Sequence, residues 1–139
     1  MRRAIAGDPI EIWGDPSRGQ DIVYVKDVVG AIIRAIDSDN AGGLYNITSG
    51  VRTSLEEEVK GVIDVFSPFE HRSEIHYRPD KPNMPATFLY DIRKAKRDFN
   101  YQIKYPLYEM LKDMKKEMDL KRFPHLIERE IKTKINNIG

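Results

Sequence analysis

The sequence predicts an α/β (α+β) fold, a small mixed sheet with flanking helices. Short β-branched and aromatic stretches alternate with longer ones whose apolar residues recur at helical spacing. Asp, Gly and Pro clusters separate them. Two of the connections are long enough for a crossover, which favours a mixed fold over an all-helical one.

The elements follow in order. "PIEIW" (9–13) alternates Ile10 and Ile12 with polar neighbours and reads as a short strand. "GDPSRG" is a turn. "DIVYV" (21–25) is β-branched and aromatic, hence a strand. Asp27 then caps a helix, its carboxylate accepting the free N–H groups of the first turn. In "DVVGAIIRAIDS" the residues Val28, Val29, Ile32, Ile33 and Ile36 recur at helical spacing. "GLYNI" (43–47) is the next strand and "TSGVRT" the next turn. Ser54 with Glu57 forms a capping box that opens "SLEEEVKGVIDVF", where Leu55, Val59, Val62, Ile63 and Phe66 share a face. "SEIHYRP" (73–79) is a strand, and the Pro-rich "RPDKPNMPA" interrupts regular structure. "TFLYDI" (87–92) is a strand, after which Asp91 caps a short helix carrying Ala95 and Phe99. Pro106, a favoured first-turn residue, opens a helix with the face Leu107, Met110, Leu111, Met114 and Met118. The last stretch is basic, broken at Pro124 and weakly amphipathic. The expected organisation is a domain over 1–121 and a tail over 122–139.

Composition bounds the function. A chain of 139 residues fits one domain and buries roughly two thirds of its unfolded surface. Apolar residues at 40% and charged residues at 32% are an ordinary globular balance. A net charge of +1 argues against nucleic acid as a partner. The lack of cysteine excludes disulfides, thiolate metal sites and cysteine nucleophiles, and fits a reducing compartment. "MRRAIAGDPIEIWGDP" has no apolar signal core, and no window approaches about 18 apolar residues. The expected location is therefore cytoplasmic, with no membrane partner.

Common site chemistries find no support. His71, His76 and His125 have no i, i+4 pairing of the kind a helical zinc site uses. Neither GxxxxGK[ST] nor a GxGxxG between strand and helix occurs. Asp15, Asp21, Asp27, Glu56, Glu57 and Glu58 all have roles as turn residues, caps or a solvated helix face. Asn46-Ile47-Thr48 matches the glycosylation pattern, but it falls on a predicted strand.

Three stretches, in order across about residues 7 to 118, resemble the C-terminal, substrate-binding portion of the NAD-dependent sugar epimerase/dehydratase family, the extended short-chain dehydrogenases. "GDPIEIWGDPSRGQDIVYVKDVVGAIIRAI" resembles the family's turn followed by RDfvYVdDva-ai. "GGLYNITSGVRTSLEEEVKGV" is similar to G-YNiGsG and the capped helix after it. "YRPDKPNMPATFLYDIRKAKRDFNYQIKYPLYEML" is similar to RPgdp, then D-sKA-reLGw-Pk-sLeegL. The family's GxxGxxG does not occur here. Its catalytic Tyr-x-x-x-Lys occurs only as spacing, at Tyr77/Lys81, Tyr90/Lys94 and Tyr108/Lys112, outside the family's catalytic helix context.

The resemblance therefore implies a truncated chain that binds a UDP-, dTDP- or GDP-linked nucleotide sugar. It implies no catalytic residue and no cofactor site in this chain, although NAD or NADP is implied for the full-length family. A dinucleotide-binding domain in cis or trans would complete the enzyme. Apolar surface left bare along Val28, Val29, Ile32 and Ile33 points to a homo-oligomer. The family's first diphosphate arginine falls on Gln20, with Arg18 two residues away as a substitute charge. The second falls on Arg78, whose fork suits phosphate. Asp21, Tyr24 and Asp27 match the motif, Asp27 as a helix cap and Tyr24 as a half-buried strand residue. Asn46 fixes its loop or touches ligand, and Lys81 stands where many members carry an acidic residue facing the ribose. The alternative is a non-catalytic binding or oligomerisation module that keeps the fold.

Overall fold

The computed structural model describes residues 1–83 and 87–120. In chain order the elements are α1 (Arg2–Ala6), β1 (Ile10–Trp13), β2 (Gly19–Asp21), α2 (Val25–Ile36), β3 (Arg52–Ser54), α3 (Leu55–Phe66), β4 (Ile75–Arg78), α4 (Arg93–Phe99) and α5 (Leu107–Asp119). β1 and β4 pair in parallel, from Ile10 opposite Ile75 to Trp13 opposite Arg78. β2 and β3 pair antiparallel, with Gln20 opposite Thr53. The strands thus form two two-stranded sheets, parallel and antiparallel, rather than one continuous mixed sheet.

Helices surround two apolar cores. Ala31, Ile92, Ala95, Phe99 and Tyr101 form one, joined by Tyr45 and Ile47. Ala4, Phe66 and Leu111 form the other, joined by Val62, Leu107 and Met114. α3 and α5 approach closely at Gly61, where a Cβ would lie 2.9 Å from a Leu111 methyl. The capping box on α3 is present: Ser54 Oγ accepts the Glu57 N–H at 3.2 Å, and Glu57 accepts the Ser54 N–H at 2.7 Å.

Several expectations change. The strand over 21–25 stops at Asp21, and Tyr24 is the N-cap of α2, so it is neither a strand residue nor followed by a cap at Asp27. Asp27 lies inside the first turn, buried, and reaches across the fold. Ile92 is the N-cap of α4, although Asp91 accepts the Arg93 N–H at 2.9 Å. Pro106 is the N-cap of α5. Segments 43–47 and 87–92 form no ladder among the described residues. Side chains take up their carbonyls instead: Lys94 Nζ donates to the Gly42 and Leu44 carbonyls, and Asn46 Nδ2 to that of Asp91. The tail over 122–139 lies outside the described residues.

α2 is turned opposite to its apolar pattern. Its inward residues are Asp27, Ala31 and Ala35, whereas Val25, Val29, Ile32, Ile33 and Ile36 are exposed. Small side chains let the helix sit close to α4 and its core, and the large aliphatic residues are left outside.

Candidate functional site

The β1–β4 sheet builds the first candidate face. A two-residue period puts Glu11 and Trp13 on the side opposite Ile10 and Ile12. The parallel register then sets Arg78 beside Trp13. Arg78 Nη1 donates to Glu11 at 3.1 Å, and its Nε and Nη2 donate to the two oxygens of Asp80, each at 3.1 Å. The Trp13 indole N–H donates to the other Glu11 oxygen at 2.8 Å. That bond and the nearby guanidinium hold the Glu11 carboxyl below its ordinary value, and Arg78 does the same to Asp80. Arg78 is thus the last residue of β4, with its fork taken by two carboxylates. Trp13 keeps about half of its surface exposed.

The turn before β2 builds the second face. Gln20 is exposed on β2. Arg18 is half-buried, its carbonyl accepting the Leu55 N–H at 2.9 Å and its Nε buried without a hydrogen-bond partner among the described residues. Its charge acts on Glu58, whose carboxyl is pushed up by burial and only partly drawn back by Arg18. The turn is pinned on one side by the N-terminus of α3, where the Glu56 N–H reaches the Pro16 carbonyl at 3.1 Å. On the other side Asn83 Nδ2 donates to the Trp13 and Asp15 carbonyls at 2.9 and 3.2 Å. The Lys81 N–H closes a turn onto the Arg78 carbonyl at 3.1 Å. Asn83 thus ties the Asp15 turn to the end of β1, and Lys81 follows β4 directly.

The Tyr24 hydroxyl donates to Asp113 at 2.8 Å, and burial together with that carboxylate pushes its pKa up to about 12. Tyr24 also lines a cavity of about 770 Å³ between the antiparallel β2–β3 pair and the first turns of α3 and α5, with Ile22, Thr53, Tyr105 and Leu107. Asn46 Nδ2 donates to the Asp91 carbonyl at 3.2 Å.

The two acidic motif residues act as fasteners. Asp21 accepts the Ser49 N–H at 2.8 Å, the Ser49 hydroxyl at 2.6 Å, the Gly50 N–H at 3.1 Å and the Tyr90 N–H at 3.2 Å. Asp27 accepts the Lys104 and Tyr105 N–H groups at 2.9 and 3.1 Å.

The tyrosines with a lysine four residues on are engaged elsewhere. Tyr77 donates to Glu56 at 2.6 Å and Tyr108 to Asp64 at 2.9 Å. Those bonds raise both phenols, the reverse of activation by lysine. Lys94 sits 4.0 Å over the Tyr45 ring. Among the described residues no group of three His, Cys, Asp or Glu side chains could hold a metal ion, and no helix is long and apolar enough to cross a membrane. Sequence reasoning missed Glu11 and Trp13, although the alternation of Ile10 and Ile12 already assigns both to the outer face.

The model of the NAD dependent epimerase/dehydratase family matches residues 1–48. UDP-glucose 4-epimerase of Mycolicibacterium smegmatis is 31% identical over 94 residues, which cover 68% of this chain and 27% of that protein. UDP-glucuronic acid decarboxylase 1 of Arabidopsis thaliana is 30% identical over 116 residues, 82% of this chain and 25% of that protein. The chain belongs to the NAD-dependent epimerase/dehydratase family. Among solved structures, UDP-glucose 4-epimerase with UDP-glucose from Thermotoga maritima superposes with a TM-score of 0.65 at 28% identity, covering 79% of this chain and 34% of that one. An epimerase from Methanothermobacter thermautotrophicus gives a TM-score of 0.70 at 23% identity, over 86% of this chain and 36% of that one. This epimerase/dehydratase chain thus spans about a third or less of the relatives it matches.

Proposed function

We propose that this chain is the nucleotide-sugar-binding part of an NAD-dependent epimerase/dehydratase, and that hydride exchange needs a dinucleotide-binding part supplied in cis or in trans. The observation that carries the reading is the face built by Glu11, Trp13, Arg78 and Asp80. A nucleotide sugar offers a flat base, hydroxyl donors and a diphosphate. A half-exposed indole stacks on a flat ring. Carboxylates accept from hydroxyls, and a guanidinium that exchanges a carboxylate for phosphate keeps its two-pronged pairing. In this reading 1–121 is the binding domain, 122–139 an appended tail, and the chain forms a homo-oligomer.

NAD or NADP would supply the hydride acceptor of the complete enzyme. The described residues do not fit it. The glycines at 42, 43 and 50 do not open a helix directly after a strand, and the first N–H groups of α3 are engaged by the Arg18 and Pro16 carbonyls and by Ser54. The role of this chain is therefore binding and orientation.

One observation favours the second reading, a non-catalytic binding module. Gln20 brings no charge, and Arg78 is neutralised by Glu11 and Asp80. A single experiment separates the two. Trp13 is the only tryptophan, so its fluorescence reports on this face alone. Titration with UDP-glucose and a dTDP-sugar should give a saturable fluorescence change matched by calorimetric heat. Neither signal up to about 1 mM ligand, an affinity floor near −4 kcal/mol, overturns the nucleotide-sugar reading.

A further inference from the structure

β1 and β4 run parallel and end side by side at Trp13 and Arg78. A hairpin cannot join two parallel ends, so the chain leaves both in the same direction and other bonds must hold them together. Two of these converge on the Arg78 carbonyl, from the Gly14 N–H at 2.9 Å and from the Lys81 N–H at 3.1 Å. The next tie is a side chain. Asn83 Nδ2 donates to the Trp13 carbonyl at 2.9 Å and to the Asp15 carbonyl at 3.2 Å. A carboxamide nitrogen has two N–H groups, and both are used here. Gly14 lies between the two carbonyls, in the left-handed region with a φ of 69°. A Cβ on it would stand 2.4 Å from Asn83 Cγ, so the absence of a side chain is what lets the carboxamide lie against the turn.

We propose that Asn83 is a positioning residue for the ligand-binding face, acting through the backbone of Trp13 and the segment 79–83, with no ligand contact of its own. The identity of the ligand rests on the nucleotide-sugar reading above. The groups of that face sit on two chain segments. Glu11 and Trp13 belong to β1, whereas Arg78 ends β4 and Asp80 follows it. Glu11 fixes the edge of the indole, but Trp13 is the last residue of its strand, and its carbonyl is held by Asn83. The same carboxamide returns the segment after Arg78 to the end of β1. Without it, the indole and the guanidinium lose a fixed separation. A nucleotide sugar must meet the indole with its base and the guanidinium with its diphosphate at once, so a loose separation lowers affinity although every contacting group is still present. Asparagine is required for its two donors. Aspartate has the same shape but no N–H, and it sets a negative charge against two carbonyl oxygens.

The test has one arm without ligand and one with it. Trp13 is the only tryptophan, so acrylamide quenching of the full chain reports on its mobility alone. Asn83→Asp should raise the quenching constant by about twofold through local opening of the strand end. It should also weaken both UDP-glucose and uridine on the order of tenfold, as the loss of two hydrogen bonds allows. Uridine is uncharged, so the new carboxylate does not act on it by repulsion. Gly14→Ala pushes the carboxamide away and should reproduce both effects, and the double variant should be no worse than either single one, because both break the same tie. Asp27→Asn controls for a general loss of stability and should move neither quantity while the chain is folded. Quenching unchanged in Asn83→Asp overturns the proposal, whatever happens to the ligands. Weaker binding with unchanged quenching makes Asn83 a ligand contact and overturns it too. A parent that binds neither UDP-glucose nor uridine overturns the nucleotide-sugar reading instead, and raised quenching in Asn83→Asp then still supports Asn83 as the residue that positions Trp13.

Discussion

Asp27 offers the sharpest test of how the motif holds the fold. A capping residue would act locally, and replacing it would cost about 1 kcal/mol. The structure gives Asp27 a longer reach. It is 4% exposed and accepts two backbone N–H groups from the segment leading into α5. Each bond to a charged acceptor contributes about 1.5–3 kcal/mol, and a buried N–H left unpaired costs about 1–3 kcal/mol. Removing the carboxylate also relieves its own desolvation, so the terms do not add fully. Asp27→Asn keeps the volume but offers one acceptor and turns an NH₂ toward the other N–H, costing about 2–3 kcal/mol. Asp27→Ala leaves both N–H groups unpaired and should cost about 3–4 kcal/mol. For a domain of this size the first change lowers the melting temperature by about 10 °C. Urea unfolding of both variants gives the energies, and the slope with denaturant should stay constant. Amide exchange gives the location: protection should fall at Lys104 and Tyr105 rather than along the first turn of α2. A cost of only about 1 kcal/mol, with faster exchange confined to that first turn, would refute the fastener in favour of a local role.

Other outcomes follow from the charges. If the diphosphate meets Arg78, Asp80→Asn should tighten UDP-sugar binding several-fold by freeing the fork, Gln20→Arg should tighten it further, and Arg78→Ala should weaken it ten- to a hundredfold, or about 1.5–3 kcal/mol. Calorimetry at low and high salt checks this; all three effects should shrink as salt rises, and changes all within twofold reject the site. Burial alone would raise the Asp21 carboxyl, but bonds from Ser49, Tyr90 and Gly50 outweigh it and hold the carboxyl below 3.8. Its contribution is therefore present above the unfolded value and lost as pH falls through the lower folded one, so urea midpoints should drop below about pH 4 and Asp21→Asn should flatten that drop. Glu58 has the opposite sign, because burial raises it; stability declines as pH climbs through its folded value, and Glu58→Gln should gain a little stability at pH 7 and none at pH 3. NAD and NADP should bind this chain no tighter than about 100 μM by calorimetry; a tighter value would show a dinucleotide site elsewhere in the chain.

What the sequence made legible was local. Ser54 and Glu57 are three residues apart, and their reciprocal bonds depend on little else. The alternation of Ile10 and Ile12 fixed a strand and, by the same period, the outer face of Glu11 and Trp13. Arg78 fell at a strand end because β-branched and aromatic residues precede a proline. What the sequence hid was long-range. Asp27 lies 77 residues from the N–H group of Lys104, and nothing in its neighbours distinguishes that bond from a cap. Segments 43–47 and 87–92 are extended as their residue types demand, but a strand also needs an adjacent backbone edge. Lysine and asparagine side chains occupy the carbonyls there, so propensity named the conformation and not the partner.

α2 gives the most general lesson. Periodicity locates an apolar stripe but carries no information on which surface covers it. Here the helix meets its own core through Ala31 and Ala35, whose small side chains allow α2 to lie close to α4 around Phe99. The stronger apolar signal belongs to the opposite side. A hydrophobic stripe is evidence of a contact, and the contact need not be intramolecular. For this chain the distinction decides what a substitution does. Ile32 and Ile36 can take a charge without loss of fold, while enlarging Ala31, only 2% exposed, should push α2 off its core and cost about 1–3 kcal/mol by overpacking. Ala31→Leu and Ile36→Asp therefore separate the two faces: the first should lower the melting temperature and the second should leave the fold of the chain intact. The reverse pattern would mean that the helix is seated the other way round.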